Sequence, residues 1–167
     1  MRVAIYCLWI VLIFALAVAP PSSARRAGRW LTYRGAYFTI KYPSGFTVRP
    51  SQKTEELYDS VFFISADRSV EFYVFSPIWN GEPKDIEINP QQEAYVSQNV
   101  TERNGIKVRR ATIKAKDGSY LRSFEDTENT RTNNRTAFGM KYRDQKAYDK
   151  YRAMYLTFKK SIVQFAD

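Results

Sequence analysis

Five cations fall within ten residues at Lys107, Arg109, Arg110, Lys114 and Lys116. Ile106, Val108, Ala111, Ile113 and Ala115 run between them and mark the segment as a strand. On the solvent face of a sheet, such cations could form a basic stripe that meets an acidic protein, an anionic lipid surface or a polyanion. The plainer reading is a solvated face that keeps a sheet edge from aggregating. The candidate partner-binding residues are therefore Lys107, Arg109, Lys114 and Lys116. Trp79, in the loop from Pro77 to Gly81, is the candidate aromatic anchor, because charge alone does not make a contact specific. The partner these residues suit is an unknown, acidic protein. Nucleic acid is not expected: the charge is dispersed, and no recognition helix or RNP-like motif is present.

The acidic residues offer less. Glu125, Asp126, Glu128 and Asn129 resemble a hard-cation loop in residue type only, without the spacing, glycine and terminal glutamate of a calcium loop. Glu71 and Glu125, each among aromatics in a strand pattern, would be the pair for a glycosidase-like hydrolase, the alternative to a non-catalytic domain. The chain has no His and a single Cys, Cys7. That composition excludes His-ligated metals, Ser-His-Asp and Cys-His catalysis and a disulfide framework. No catalytic, cofactor-binding or metal-binding residue is assigned, and no cofactor is expected. Asn99-Val100-Thr101 and Asn134-Arg135-Thr136 match the glycosylation sequon, which matters only in a eukaryotic secretory host.

These residues must be positioned by one core, since 167 residues are enough for one domain and hardly for two. The aromatic content of 16% argues against disorder, and the formal net charge is +9. Residues 1–24 have the parts of a signal peptide: a basic start, an apolar run from Val3 to Ala19, Pro20-Pro21, then Ser22-Ser23-Ala24 as the cleavage site. The expected location is secreted or periplasmic. The alternative is a membrane anchor formed by residues 3–19 left uncleaved, the only membrane contact expected. Residues 25–29 form a flexible basic linker, and residues 30–167 form the domain.

Within that domain, Ala36 to Tyr42 alternates as a half-buried strand and Pro43-Ser44-Gly45 turns it into a short second strand ending at Pro50. Ser51 to Tyr58 is expected as a loop or short helix. Val61 to Ser65 and Val70 to Phe75 form a hairpin of central strands, apolar on both faces. Asn89, Pro90 and Gln92 have the order of a helix start, so a helix is expected from Pro90 to about Gln98. Ile106 and Val108 are out of phase with Ala111, Ile113 and Ala115, which predicts a β-bulge at Arg109-Arg110. Asp117-Gly118 is the best hairpin signal and leads into a strand from Tyr120 to Glu125. The polar run Asp126 to Asn134 predicts an exposed connection before a strand from Thr136 to Tyr142. Asp144 caps a final helix, whose stripe of Tyr148, Tyr151, Tyr155, Phe158, Ile162 and Phe165 is expected to pack on the sheet.

The segment Ala36-Tyr37-Phe38-Thr39-Ile40-Lys41-Tyr42-Pro43-Ser44-Gly45-Phe46 resembles the opening of PsbP-like domains. Val61-Phe62-Phe63, the Phe72-Tyr73-Val74-Phe75-Ser76-Pro77 ending and the terminal aromatic helix are similar to that family in order and spacing. The fold expected is α+β, a mainly antiparallel sheet flanked by helices in an α/β/α sandwich. What the resemblance implies is an exported binding or assembly-support domain without catalysis, acting through protein contacts, as in the bacterial cell envelope. The metal-related His positions of photosystem-type members have no counterpart here.

Overall fold

The structure, a computed structural model, describes residues 28–51, 53, 54, 57–77 and 79–165. The expected signal segment, residues 1–24, and residues 25–27 of the linker lie outside them.

The aromatic, β-branched runs of the first half become β1 (Trp30–Arg34), β2 (Phe38–Pro43), β3 (Thr47–Pro50), β4 (Lys53–Thr54), β5 (Leu57–Tyr58), β6 (Ser60–Ile64) and β7 (Val70–Phe75). The second half holds β8 (Glu93–Arg103), β9 (Ile106–Ala115), β10 (Leu121–Asn129), β11 (Asn134–Tyr142), α1 (Gln145–Lys160) and β12 (Val163–Gln164). Every pairing is antiparallel, and the main sheet has the order β3-β6-β7-β11-β10-β9-β8. A smaller sheet, β1-β2-β12, contributes Phe38 and Ile40 of β2 to the same core. This is the α+β, antiparallel architecture that the alternating strands and capped helix predict.

β7 lies inside the main sheet between β6 and β11, and its period of two divides the core. Phe72 and Val74 join Phe63, Phe138, Met140, Tyr151 and Phe158 under α1, with Phe38 and Ile40 of β2. Tyr73 and Phe75 point the other way, to Ile86, Ala111, Ile113, Phe124 and Ala137 beneath the loop from Ser76 to Gln92. That loop carries a 3-10 turn, Lys84–Ile86, the only helical turn on this face among the described residues. Asp85 ties it down by accepting from Ser51 Oγ at 2.7 Å and Ser60 Oγ at 2.9 Å. Gly139 lies opposite Tyr73 in the ladder, and an added Cβ would stand 3.3 Å from Tyr73 Cβ, so glycine leaves room for the ring.

Several expectations are corrected. The helix from Pro90 to Gln98 is instead a short turn followed by β8: Asn89 Oδ1 accepts from Gln91 N at 3.1 Å, Asn89 O accepts from Gln92 N at 3.0 Å and Glu93 N at 2.8 Å, and the helical bonding ends there. Pairing with β9 along the whole of β8 overrides the capping signal. The hairpin that joins them turns at Asn104-Gly105, with φ of 52° and 74°, the left-handed pair a two-residue loop requires. Arg109-Arg110 carries no bulge, for β9 pairs with β10 in unbroken register, and the irregularity lies in β8 between Tyr95 and Ser97. Ile106 and Val108 therefore face the side opposite to Ala111, Ile113 and Ala115. The polar run Asp126 to Asn134 is mostly strand, since β10 continues to Asn129 and β11 begins at Asn134. Ser51 to Tyr58 holds the paired strands β4 and β5 rather than a helix. The last helix stops at Lys160; Ile162 follows it and Phe165 follows β12, which hydrogen-bonds to β2. Asp144 does cap α1, accepting from Ala147 N at 2.8 Å.

Candidate binding groove

A strand without a bulge sends successive side chains to opposite faces. Lys107 and Arg109 accordingly project on the loop side of the sheet, and Arg110 and Lys114 on the helix side, so the expected stripe is split in two. Arg109 is also engaged: its Nη2 lies 3.2 Å from Asp126 Oδ2 and its guanidinium 5.0 Å from the Phe124 ring centroid. Lys116 lies beyond the strand and donates from Nζ to Pro90 O at 2.8 Å. Trp79, 38% exposed, packs edge-on against Tyr37 with centroids 5.3 Å apart. The structure does not bring the candidate set Lys107, Arg109, Lys114, Lys116 and Trp79 together.

The candidate cation loop is likewise something else. Asp126, only 4% exposed, accepts from Arg135 Nε at 2.9 Å and Nη2 at 2.8 Å. Two guanidinium groups therefore occupy the carboxylate a metal would need, and no group of acids suited to a metal occurs among the described residues. Glu71 and Glu125 lie on opposite faces of the sheet. Glu71 pairs with Arg49 at 3.3 Å and Lys141 at 3.2 Å, and Glu125 with Arg110 at 2.7 Å and Lys159 at 3.1 Å. Burial disfavours the Glu125 carboxylate, but Lys159 and Arg110 outweigh it and hold its pKa below the usual value. A glycosidase acid needs the shift opposite to that of Glu125 and a partner across one cleft, and Glu71 lies on the other face of the sheet.

What chain reading did not reveal is the groove on the helix side. α1 covers β7, β11 and β2, and a cleft of about 490 Å³ opens between its flank and β9–β10. Tyr148, Arg152, Tyr155, Leu156 and Lys159 form the wall, with Thr112, Ser123 and Glu125 on the floor. The helical period explains the wall, since positions 148, 152, 155, 156 and 159 recur at three and four. Leu156 and Arg152 are exposed, and Tyr155 is half-buried, its phenol pushed up in pKa by burial and then by Glu125. Glu125 is the one carboxylate lining the groove; Lys159 and the bordering Arg110 both bind it, while Arg152 has no carboxylate partner in the lining. Lys114 extends the same face one pair further along, opposite Leu121. The result is an amphipathic channel with surplus positive charge and no acid-base or nucleophilic pair. Its size is that of a ligand or peptide site.

No family model matches the sequence, and no curated protein matches it. Among solved structures the fold is similar to cyanobacterial PsbP from Synechocystis, at 11% identity and TM-score 0.49, covering 88% of this chain and 100% of that one. It is also similar to the Ran-binding protein Mog1p of Saccharomyces cerevisiae, at 9% identity and TM-score 0.44, covering 81% and 94%. These are likenesses of fold, the level at which the PsbP-like resemblance of the residues was drawn. No described helix is long and apolar enough to cross a membrane.

Proposed function

We propose that this chain is an exported, non-catalytic domain that binds a protein partner through an acidic segment laid in the groove between α1 and β10. The supporting observation is the groove itself, which joins an aromatic and aliphatic wall to Arg110, Arg152 and Lys159 around the single carboxylate Glu125. Such a lining suits a strand or loop that presents Asp or Glu beside an apolar side chain. Lys114 adds charge on the same side. Lys107, Arg109, Lys116 and Trp79 lie outside this groove and belong to a second contact.

The test uses a defined probe, a short peptide of alternating Glu and Leu, titrated into the isotope-labelled protein. Amide shifts should concentrate on Ser123, Glu125, Tyr148, Arg152 and Leu156. They should weaken as salt rises from 0.1 M to 1 M, where the screening length falls from about 10 Å to about 3 Å. Arg152→Glu should reduce binding with an unchanged fold. Shifts scattered over all exposed cations would show a merely polyelectrolyte surface. Export is tested separately: processing after Ala24 should yield protein beginning at Arg25, whereas an intact chain held in the membrane would favour the anchor.

A further inference from the structure

The two outer edges of the main sheet differ in a way that points to a second binding mode, independent of the groove. β3 is four residues long and carries Arg49 and Pro50, a short and protected edge. β8 is eleven residues long, contains no Pro or Lys, and is exposed from Ala94 to Arg103. No described strand pairs with its outer side. Val96 and Val100 are 59% and 51% exposed on it, and the eight residues from Ala94 to Thr101 carry no charge. A long, neutral, valine-bearing edge presents unpaired backbone donors and acceptors to any matching strand.

We propose that this edge pairs with the same edge of a second copy, forming a two-fold dimer with one continuous sheet. The register follows from the irregularity at Val96. Beyond it, Ser97 to Arg103 pairs with β9 residue for residue, so seven regular residues are available for a second ladder. Antiparallel pairing of two identical strands places the two-fold axis at one residue, which then faces its own copy. The centre that uses all seven residues and keeps the bulge outside the ladder is Val100. Val100 then meets Val100 of the second copy, Asn99 meets Thr101, Gln98 meets Glu102 and Ser97 meets Arg103. Apolar lies on apolar at the axis, each charged residue faces a neutral hydrogen-bonding one, and no like charges oppose. A slide of two residues, which would centre the pair on Gln98, draws Val96 and its bulge into the ladder.

Sedimentation of the full chain across a concentration series tests this. The wild type should show a monomer–dimer equilibrium. Val100→Lys and Val100→Glu should each be monomeric, because each sets like charges face to face at the axis, while an equimolar mixture of the two should associate again. Gln98→Lys should tighten the dimer several-fold, since it faces Glu102 of the other copy twice over. Circular dichroism checks that the exposed substitutions leave the fold intact. A wild type still monomeric at about 1 mM, a dimer indifferent to both Val100 variants, or a looser Gln98→Lys dimer would overturn the proposal.

Discussion

The two halves of the main sheet are held by different physics. In β6, β7 and β11 aromatic and branched side chains bury both faces: α1 and β2 cover one and the loop from Ser76 to Gln92 the other. In β10, β9 and β8 ion pairs, Asp126 with Arg109 and Arg135 and Glu93 with Arg122, flank the apolar patch of Ala111, Ile113 and Phe124 on the loop side, and the helix side is left open. A packed half resists change because any lost volume leaves a cavity. An open half with paired charges keeps its shape while leaving a face and an edge for partners. The difference places both proposed contacts, the groove and β8, in the same half.

The largest effect should come from the packed half. Phe158 is 0% exposed and touches Phe63, Phe72 and Phe138, with ring centroids 5.3 to 6.3 Å away. Phe158→Ala is expected to cost about 3 to 5 kcal/mol in chemical denaturation. Unchanged unfolding would mean that α1 does not seal the sheet.

Next comes the ion-paired half. Glu93 accepts from Arg122 Nε at 2.7 Å and Nη2 at 2.8 Å, from Tyr120 Oη at 2.8 Å and from Asn89 N at 2.9 Å. Burial alone would raise its pKa, yet these bonds lower it to about 2 from 4.5. A depressed carboxylate stabilises above its unfolded pKa and loses that contribution as pH falls through the folded value. About 3 kcal/mol should therefore be present at neutral pH and decline from about pH 4.5 towards 2. Glu93→Gln should remove a similar amount at pH 7 and flatten this acid limb of the stability profile. An identical acid limb in the variant would transfer the effect to other carboxylates.

A smaller change tests the open face. Arg152→Gln should leave unfolding within about 0.5 kcal/mol of the wild type, as for an exposed side chain without a structural partner, while weakening the acidic probe. A large loss of stability would mean that the groove wall is part of the core. On the opposite side of the comparison, a double-mutant cycle on Tyr37 and Trp79 should give about 1 kcal/mol of coupling, the worth of an edge-to-face ring pair. Zero coupling would free Trp79 as an anchor.

Local pattern was informative where one signal acts over a few residues. The Asp144 cap, the hairpin from Val61 to Phe75, the turn at Asp117-Gly118 and the inward set Phe138, Met140 and Tyr142 were all legible, because period and turn chemistry are properties of the chain itself. The strand character of β8 was legible too, in Asn104-Gly105 flanked by Val100-Thr101 and Ile106-Lys107-Val108, but the capping residues at Asn89 and Pro90 drew the reading to a helix. Tertiary pairing decided that contest, since β9 supplies β8 with its ladder and no partner would have met a helix there. The same holds for the charges. Composition established an excess of cations, but which of them are spoken for depends on carboxylates far away in the chain: Asp126 takes Arg109, and Glu125 takes Arg110 and Lys159. The groove appears only when α1, capped at Asp144, lies across β7 and β11 and stops short of β10. Periodicity specifies which face of an element is apolar; how far one element covers another is set by packing in three dimensions, and that decided where this protein is open.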